Sequence, residues 1–125
     1  MNQVVLSKQA PAPIGPFSQG IIAQGKFLFI SGSIGMTNQG QLIEGGIKEQ
    51  TKQALTNIKA VLSEAGYSFA DVVKVNVFLT DMNHFAAMNE VYAGFFAKPE
   101  PARTTIQVAG LPKNAIVEIE LTAVK

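Results

Sequence analysis

The sequence predicts an α+β domain of six strands and two helices in the order β-β-β-α-β-α-β-β, with both helices on one face of the sheet. Residues 72–80 place Val73, Val75, Val77 and Leu79 in alternation with Lys74, Asn76, Phe78 and Thr80, the period-2 pattern of a half-buried strand. Residues 47–65 instead bring Ile47, Ala54, Leu55, Ile58, Val61, Leu62 and Ala65 together at helical spacing, while Lys48, Lys52, Lys59 and Glu64 take the other faces. Most strands are separated by short turns, which leaves room for only two helices.

Taken in order, a short strand over residues 4–6 comes first. Two apolar runs, 20–23 and 27–30, then flank Gln24-Gly25-Lys26 and predict a hairpin with its turn near Gly25. Gly66 supplies the stop for the first helix. Asp81 suits the N-cap of the second, whose inner stripe is Phe85, Met88, Tyr92, Phe95 and Phe96 before Pro99 and Pro101 end it. Residues 103–108 and 115–124 form the last two strands, and local pattern does not decide whether they pair with each other.

In the last strand the covered set is Val117, Ile119, Leu121 and Ala123. The opposite face mixes Ile116, Val124 and Phe78 with Glu118, Glu120, Lys74 and Asn76, a composition suited to a wet subunit interface. Composition points the same way. The 125 residues are 47% apolar and only 15% charged, against roughly 25% charged in ordinary soluble domains, so apolar surface is left after one core is filled. A homo-oligomer is expected, and a single domain over 1–125.

Ten Lys plus Arg against nine Asp plus Glu give a net charge of +1, too weak a field to argue for nucleic-acid or anionic-lipid binding. Cysteine is absent, which removes disulfides and thiolate chemistry. No basic-then-apolar leader opens the chain and no apolar run approaches the ~18 residues needed to span a bilayer, so a cytoplasmic protein is expected.

Few side chains are equipped for chemistry. The single histidine, His84, has no acidic or nucleophilic partner nearby in sequence and reads as a surface residue. With one histidine and no ligand spacing among the carboxylates, neither a metal nor a metal-bound cofactor is expected. Gly32-Ser33-Ile34-Gly35 and Gly45-Gly46 fit neither a dinucleotide fingerprint nor a phosphate loop and read as turns or sites of close backbone approach.

The unusual local feature is Pro101-Ala102-Arg103-Thr104-Thr105, which holds the only arginine beside nine lysines. A guanidinium grips a carboxylate with two parallel hydrogen bonds, whereas an ammonium is a point charge without fixed orientation. By parity Arg103, Thr105 and Gln107 share one face of their strand, and Glu118 and Glu120 share one face of theirs. If those faces coincide, arginine and glutamate line one cleft. The alternative is an ion pair of Arg103 with Glu118 or Glu120 that only fixes strands or subunits, and spacing alone leaves both open.

Over essentially its whole length the chain resembles the YjgF/RidA family of 2-iminobutanoate/2-iminopropanoate deaminases. The likeness is carried by Ala12-Pro13-Ile14-Gly15-Pro16-Phe17-Ser18-Gln19-Gly20, Ser31-Gly32, Gln50-Thr51 with Asn57, Asn89 with Tyr92, Pro101-Ala102-Arg103-Thr104, Leu111-Pro112-Lys113 and Val117-Glu118-Ile119-Glu120. The resemblance implies a chorismate-mutase-like fold with a six-stranded mixed sheet, assembled as a homotrimer with its sites in the clefts between subunits. It also implies cofactor-free hydrolysis of reactive 2-imino acids to 2-oxo acids and ammonia, which limits damage to pyridoxal-phosphate enzymes.

By the same resemblance Arg103 clamps the substrate carboxylate and Glu118 orients or deprotonates the attacking water. Phe17, Ser31, Gly32, Asn89 and Thr105 line the substrate site, Gly32 and Thr105 mainly through their backbones. Two departures stand out: Phe17 where active relatives commonly carry tyrosine, and Thr105 where the family often has cysteine. The runner-up expectation is a non-catalytic binder of small carboxylates such as 2-oxo acids. A ribonuclease role, attached to some relatives, finds neither a basic stripe nor a histidine pair here.

Overall fold

A computed structural model describes residues 2–125. Its elements follow the expected order: β1 (Gln3–Val5), β2 (Gly20–Ile22), β3 (Phe27–Ser33), α1 (Ile47–Glu64), β4 (Val72–Leu79), α2 (Phe85–Ala93), β5 (Ala102–Gln107) and β6 (Val117–Val124). Among the described residues no helix is long and apolar enough to cross a membrane.

The six strands do not form one continuous sheet. β3, β6, β4 and β5 lie side by side in that order, and β1 pairs with β2 as a separate ribbon. A single parallel bridge between Ser18 and Ala102 joins the ribbon to β5. Ser18 secures that bridge from both sides, its amide donating to Pro101 O and its hydroxyl to Glu100 O. The sheet is mixed as expected, because β4 pairs with β5 in parallel and with β6 in antiparallel.

The hairpin expected around Gly25 does not form. Gly25 does turn the chain, at a φ of 140° that only glycine adopts without strain. However, Lys26 exchanges both backbone hydrogen bonds with Lys125, so β3 runs beside β6 while β2 runs beside β1. The last two strands are likewise not neighbours, since β4 lies between them.

Each helix starts and stops for local reasons. The Glu49 carboxylate accepts from the Gly46 amide at 2.8 Å, closing the first turn of α1, and Gly66 at φ 79° ends it. Asp81 caps a short 3₁₀ turn over Met82–His84, its Oδ1 accepting from Asn83 N, and α2 begins only after that turn. α2 ends at Ala93, so Phe95 and Phe96 of the predicted stripe pack from the segment that follows the helix.

One face of the four-stranded sheet carries the core. Val75, Val77 and Leu79 of β4 and Val117, Ile119, Leu121 and Ala123 of β6 pack against Ala54, Leu55, Ile58 and Leu62 of α1 and Met88 and Tyr92 of α2. The opposite face has no helix over it. It presents Phe29, 74% exposed, together with Lys74, Asn76, Phe78, Glu118 and Glu120.

Candidate functional site

β5 is an edge strand held in register with β4, Arg103 opposite Val75 and Thr105 opposite Val77. Val75 and Val77 face the helices, so Arg103 and Thr105 do too. Arg103 is therefore carried inside, only 9% exposed, beneath α2 and the 15–17 segment.

Three aromatic rings enclose its guanidinium. The central carbon lies 4.7 Å from the Tyr92 ring centroid, 5.4 Å from that of Phe17 and 5.7 Å from that of Phe85. Phe85, Asn89 and Tyr92 fall on one stripe of α2, and Tyr92 is itself braced by stacking on Phe96 at 4.4 Å. Gly15 completes the enclosure: a Cβ there would lie 3.3 Å from Arg103 Nη2 and 3.5 Å from both Asn89 Nδ2 and the Phe17 ring.

No carboxylate belongs to this cage. Among the described residues the salt bridge found is Lys48 with Glu90, at the surface. Among the described residues Arg103 Nη1, Tyr92 Oη, Asn89 Oδ1 and Thr105 Oγ1 are all buried without a partner in good hydrogen-bond geometry, although the Tyr92 hydroxyl lies near enough to the guanidinium for a weak, poorly aligned interaction. Burial pulls the guanidinium down from its usual value, opposed by Tyr92, and pushes the Tyr92 hydroxyl well above the ordinary phenol range, opposed by Arg103. Arginine stays charged at neutral pH through such a shift. A buried cation with an unused donor and no counterion is costly unless an anion joins it.

Glu118 lies elsewhere. It sits opposite Phe78 on the helix-free face, whereas Arg103 points to the helices. The condition that would place arginine and glutamate in one cleft of one chain is therefore not met, and they form no ion pair. Glu118 instead packs on β3, where a Cβ added to Gly32 would fall on its Oε2. Glycine at position 32 is what admits the carboxylate.

The β3–β6 ladder loses register between Ile30 and Ser33, which lifts Ser31 and Gly32 out of regular pairing beside Glu118. Clefts flank Ser31 on both sides. One, of about 440 Å³, is lined by Ile30, Gly32, Ile34, Met36, Asn57 and Val61, and another, of about 230 Å³, by Phe29, Lys74, Asn76 and Glu120. A third cleft of about 450 Å³, lined by Val4, Ile21, Phe69, Phe95, Lys98 and Pro99 among others, holds none of the predicted site residues.

The predicted residues thus fall into two groups. Arg103, Phe17, Asn89 and Thr105 lie on the helix side, and Glu118, Gly32 and Ser31 on the bare side. Sequence reasoning assigned Tyr92 and Phe85 to the core and did not see them as walls around Arg103. The available signal was Asn89, a polar residue set within an otherwise apolar helical stripe. His84, read as a surface residue, is half-buried, with Nδ1 enclosed and unpartnered. Among the described residues no three His, Asp or Glu side chains come together to hold a metal ion.

Residues 7–125 match the family model described as Endoribonuclease L-PSP. A RutC family protein of Pyrococcus horikoshii is 52% identical over 100% of this chain and 99% of its own length. A human protein named 2-iminobutanoate/2-iminopropanoate deaminase is 43% identical over 100% of this chain and 91% of its own. The crystal structure of RidA from the Antarctic bacterium Psychrobacter sp. PAMC 21119 superimposes with a TM-score of 0.77 at 43% identity, covering 98% of this chain and 99% of that one. With a family model matched over residues 7–125 and relatives 43% and 52% identical over the whole chain, the chain belongs to the YjgF/RidA family, the Endoribonuclease L-PSP family.

Proposed function

We propose that the protein is a cytoplasmic, cofactor-independent deaminase that hydrolyses 2-imino acids such as 2-iminobutanoate and 2-iminopropanoate to 2-oxo acids and ammonia. The observation that carries this reading is the caged Arg103, a buried planar cation whose Nη1 has no partner. It fits the carboxylate that every 2-imino acid carries. The name borne by the human relative supports the reaction.

The chemistry asks little of the protein. A protonated imine is already electrophilic, so holding its carboxylate and presenting a water are enough. Glu118 accepts a proton as the water oxygen bonds to the imine carbon, and the same proton goes to the nitrogen of the tetrahedral adduct. As the C–N bond breaks, the adduct's hydroxyl gives its proton to Glu118 and the carbonyl forms, and the departing ammonia takes that proton from Glu118 and leaves as ammonium. In this reading Phe17, Asn89 and Thr105 wall the carboxylate end, with Ser31 and Gly32 at the water end.

Arg103 and Glu118 face opposite sides of one sheet, so a small substrate reaches both only where the Glu118–Gly32 surface of one subunit meets the Arg103 cage of the next. A homotrimer with three such clefts supplies this arrangement and covers the exposed Phe29. Light scattering is expected to return three times 13.3 kDa, and a monomer mass at micromolar concentration would remove the shared site.

The test of function is the loss of 2-iminobutanoate generated in situ from threonine by a dehydratase. Adding the protein is expected to speed that loss, and an unchanged rate would overturn the reading. Phe17→Tyr adds a hydroxyl to the cage wall. One hydrogen bond, about 0.5–1.5 kcal/mol, is expected to raise kcat/KM several-fold to about tenfold. Phe17 is also the observation that favours the second reading, a small-carboxylate binder, which would bind a 2-oxo acid without turning over the imine.

A further inference from the structure

Helix α1 carries an inward polar row whose hydrogen bonds neither the fold nor the deaminase reading has used. Gln50 is 4% exposed, and its Oε1 accepts from the Ile116 amide at 3.0 Å. Asn57 donates through Nδ2 to Met36 O at 2.7 Å and to Ile34 O at 3.4 Å. Gln53 Nε2 donates to Asn57 Oδ1 at 2.9 Å and so fixes the amide's orientation. The Ala54 carbonyl accepts from Ser33 Oγ at 2.9 Å.

A helix face laid on a sheet is ordinarily apolar, and the buried amide of Gln50 needs its partner to avoid a desolvation cost, while Gln53 and Asn57 are half-buried. The partners share one property. Ser33 is the last residue of β3 paired with β6, opposite Ile119 after the register shift, and beyond it the carbonyls of Ile34 and Met36 have no strand partner on β6 and take Asn57 as their donor. Ile116 lies two residues before Glu118, ahead of the first residue of β6. Gly35 locks the same surfaces together, since a Cβ there would lie 2.8 Å from Gln50 Cα. The helix therefore grips the two segments that deliver Gly32 and Glu118 and leaves the Arg103 cage to α2.

We infer that Gln50, Gln53 and Asn57 are positioning residues that set how Glu118 sits on Gly32, and so set the placement of the hydrolytic water without touching substrate. The inference rests on the deaminase reading of Glu118. Displacements near 1 Å in a reacting geometry cost on the order of 100-fold in rate. Removing these hydrogen bonds therefore acts on kcat, while carboxylate binding at Arg103 is untouched.

Asn57→Leu and Gln50→Met test this in the full-length protein, each first checked for a wild-type oligomer mass. For either variant, kcat for 2-iminobutanoate is expected to fall by roughly 10- to 100-fold. The calorimetric Kd for 2-oxobutanoate should stay within about twofold of wild type, and the Gly32 amide resonance in NMR should shift, because Glu118 is its neighbour. An unchanged kcat in both variants, or a Kd that worsens in step with kcat, would overturn the inference. Should wild type itself show no imine turnover, the deaminase reading fails, and the Gly32 amide alone decides whether α1 positions Glu118: an unshifted Gly32 resonance in both variants says it does not.

Discussion

Replacing Arg103 by methionine is expected to lower kcat/KM for 2-iminobutanoate by about 30-fold or more without lowering the melting temperature. Truncating one side of a desolvated, hydrogen-bonded charge pair costs about 2–5 kcal/mol, and each 1.4 kcal/mol is about tenfold. The stability half of the expectation follows from the empty cage. Among the described residues no carboxylate pairs with the guanidinium, so burying it costs several kcal/mol that cation–π contacts of about 0.5–2 kcal/mol each only offset. An arginine that merely braced the fold through a buried ion pair would behave in the opposite way and cost about 3–5 kcal/mol on removal.

Arg103→Lys keeps the charge but loses the planar fork, and it is expected to recover little of the activity. The measurements are the coupled imine assay and a thermal melt. Full turnover in Arg103→Met would return Arg103 to a structural role.

The second large effect is expected at Gly32. A methyl group there would occupy the position of Glu118 Oε2, so the carboxylate must swing away or β3 must separate from β6. Overpacking of this kind costs about 1–3 kcal/mol of stability, and under the proposed function moving the Glu118 carboxylate by about 1 Å costs on the order of 100-fold in kcat. The proposed function places 2-oxobutanoate at the Arg103 cage, so its binding should persist. A Gly32→Ala protein with wild-type kcat would show that Glu118 does not act from the position it occupies on Gly32.

What was legible in the sequence follows from the range of the interactions involved. Alternation reports burial on one face, a local property: Val75, Val77 and Leu79 and the predicted covered set of Val117, Ile119, Leu121 and Ala123 are the ones found, while a bulge before Lys74 puts Val72 into the core in place of the expected Val73. Strand partnership is not local. The turn at Gly25 was visible, but Lys26 pairs with Lys125 across almost the entire chain, and nothing near Gly25 records that.

Parity behaved in the same way. It grouped Arg103 with Thr105, and Glu118 with Glu120, yet it cannot say which face either group takes. The parallel register of β5 on β4 sends Arg103 to the helices, and the antiparallel register of β6 sends Glu118 to the bare face. Arg103 could be singled out because it is the only arginine in the chain. Its cage could not, because Phe85 and Tyr92 at helical spacing are indistinguishable from core residues until α2 is seen to lie over an edge strand.

The most direct test of the account is complementation between two inactive proteins. Arg103→Met and Glu118→Gln chains, distinguished by tags and co-expressed, are expected to form mixed trimers in which some clefts pair an intact Arg103 from one chain with an intact Glu118 from the other. Random mixing in equal amounts should restore roughly a quarter of the wild-type sites, because each cleft in a cyclic assembly has one polarity. Co-purified mixed trimers that hydrolyse 2-iminobutanoate no faster than either parent would contradict the account, since Arg103 and Glu118 would then not meet across subunits.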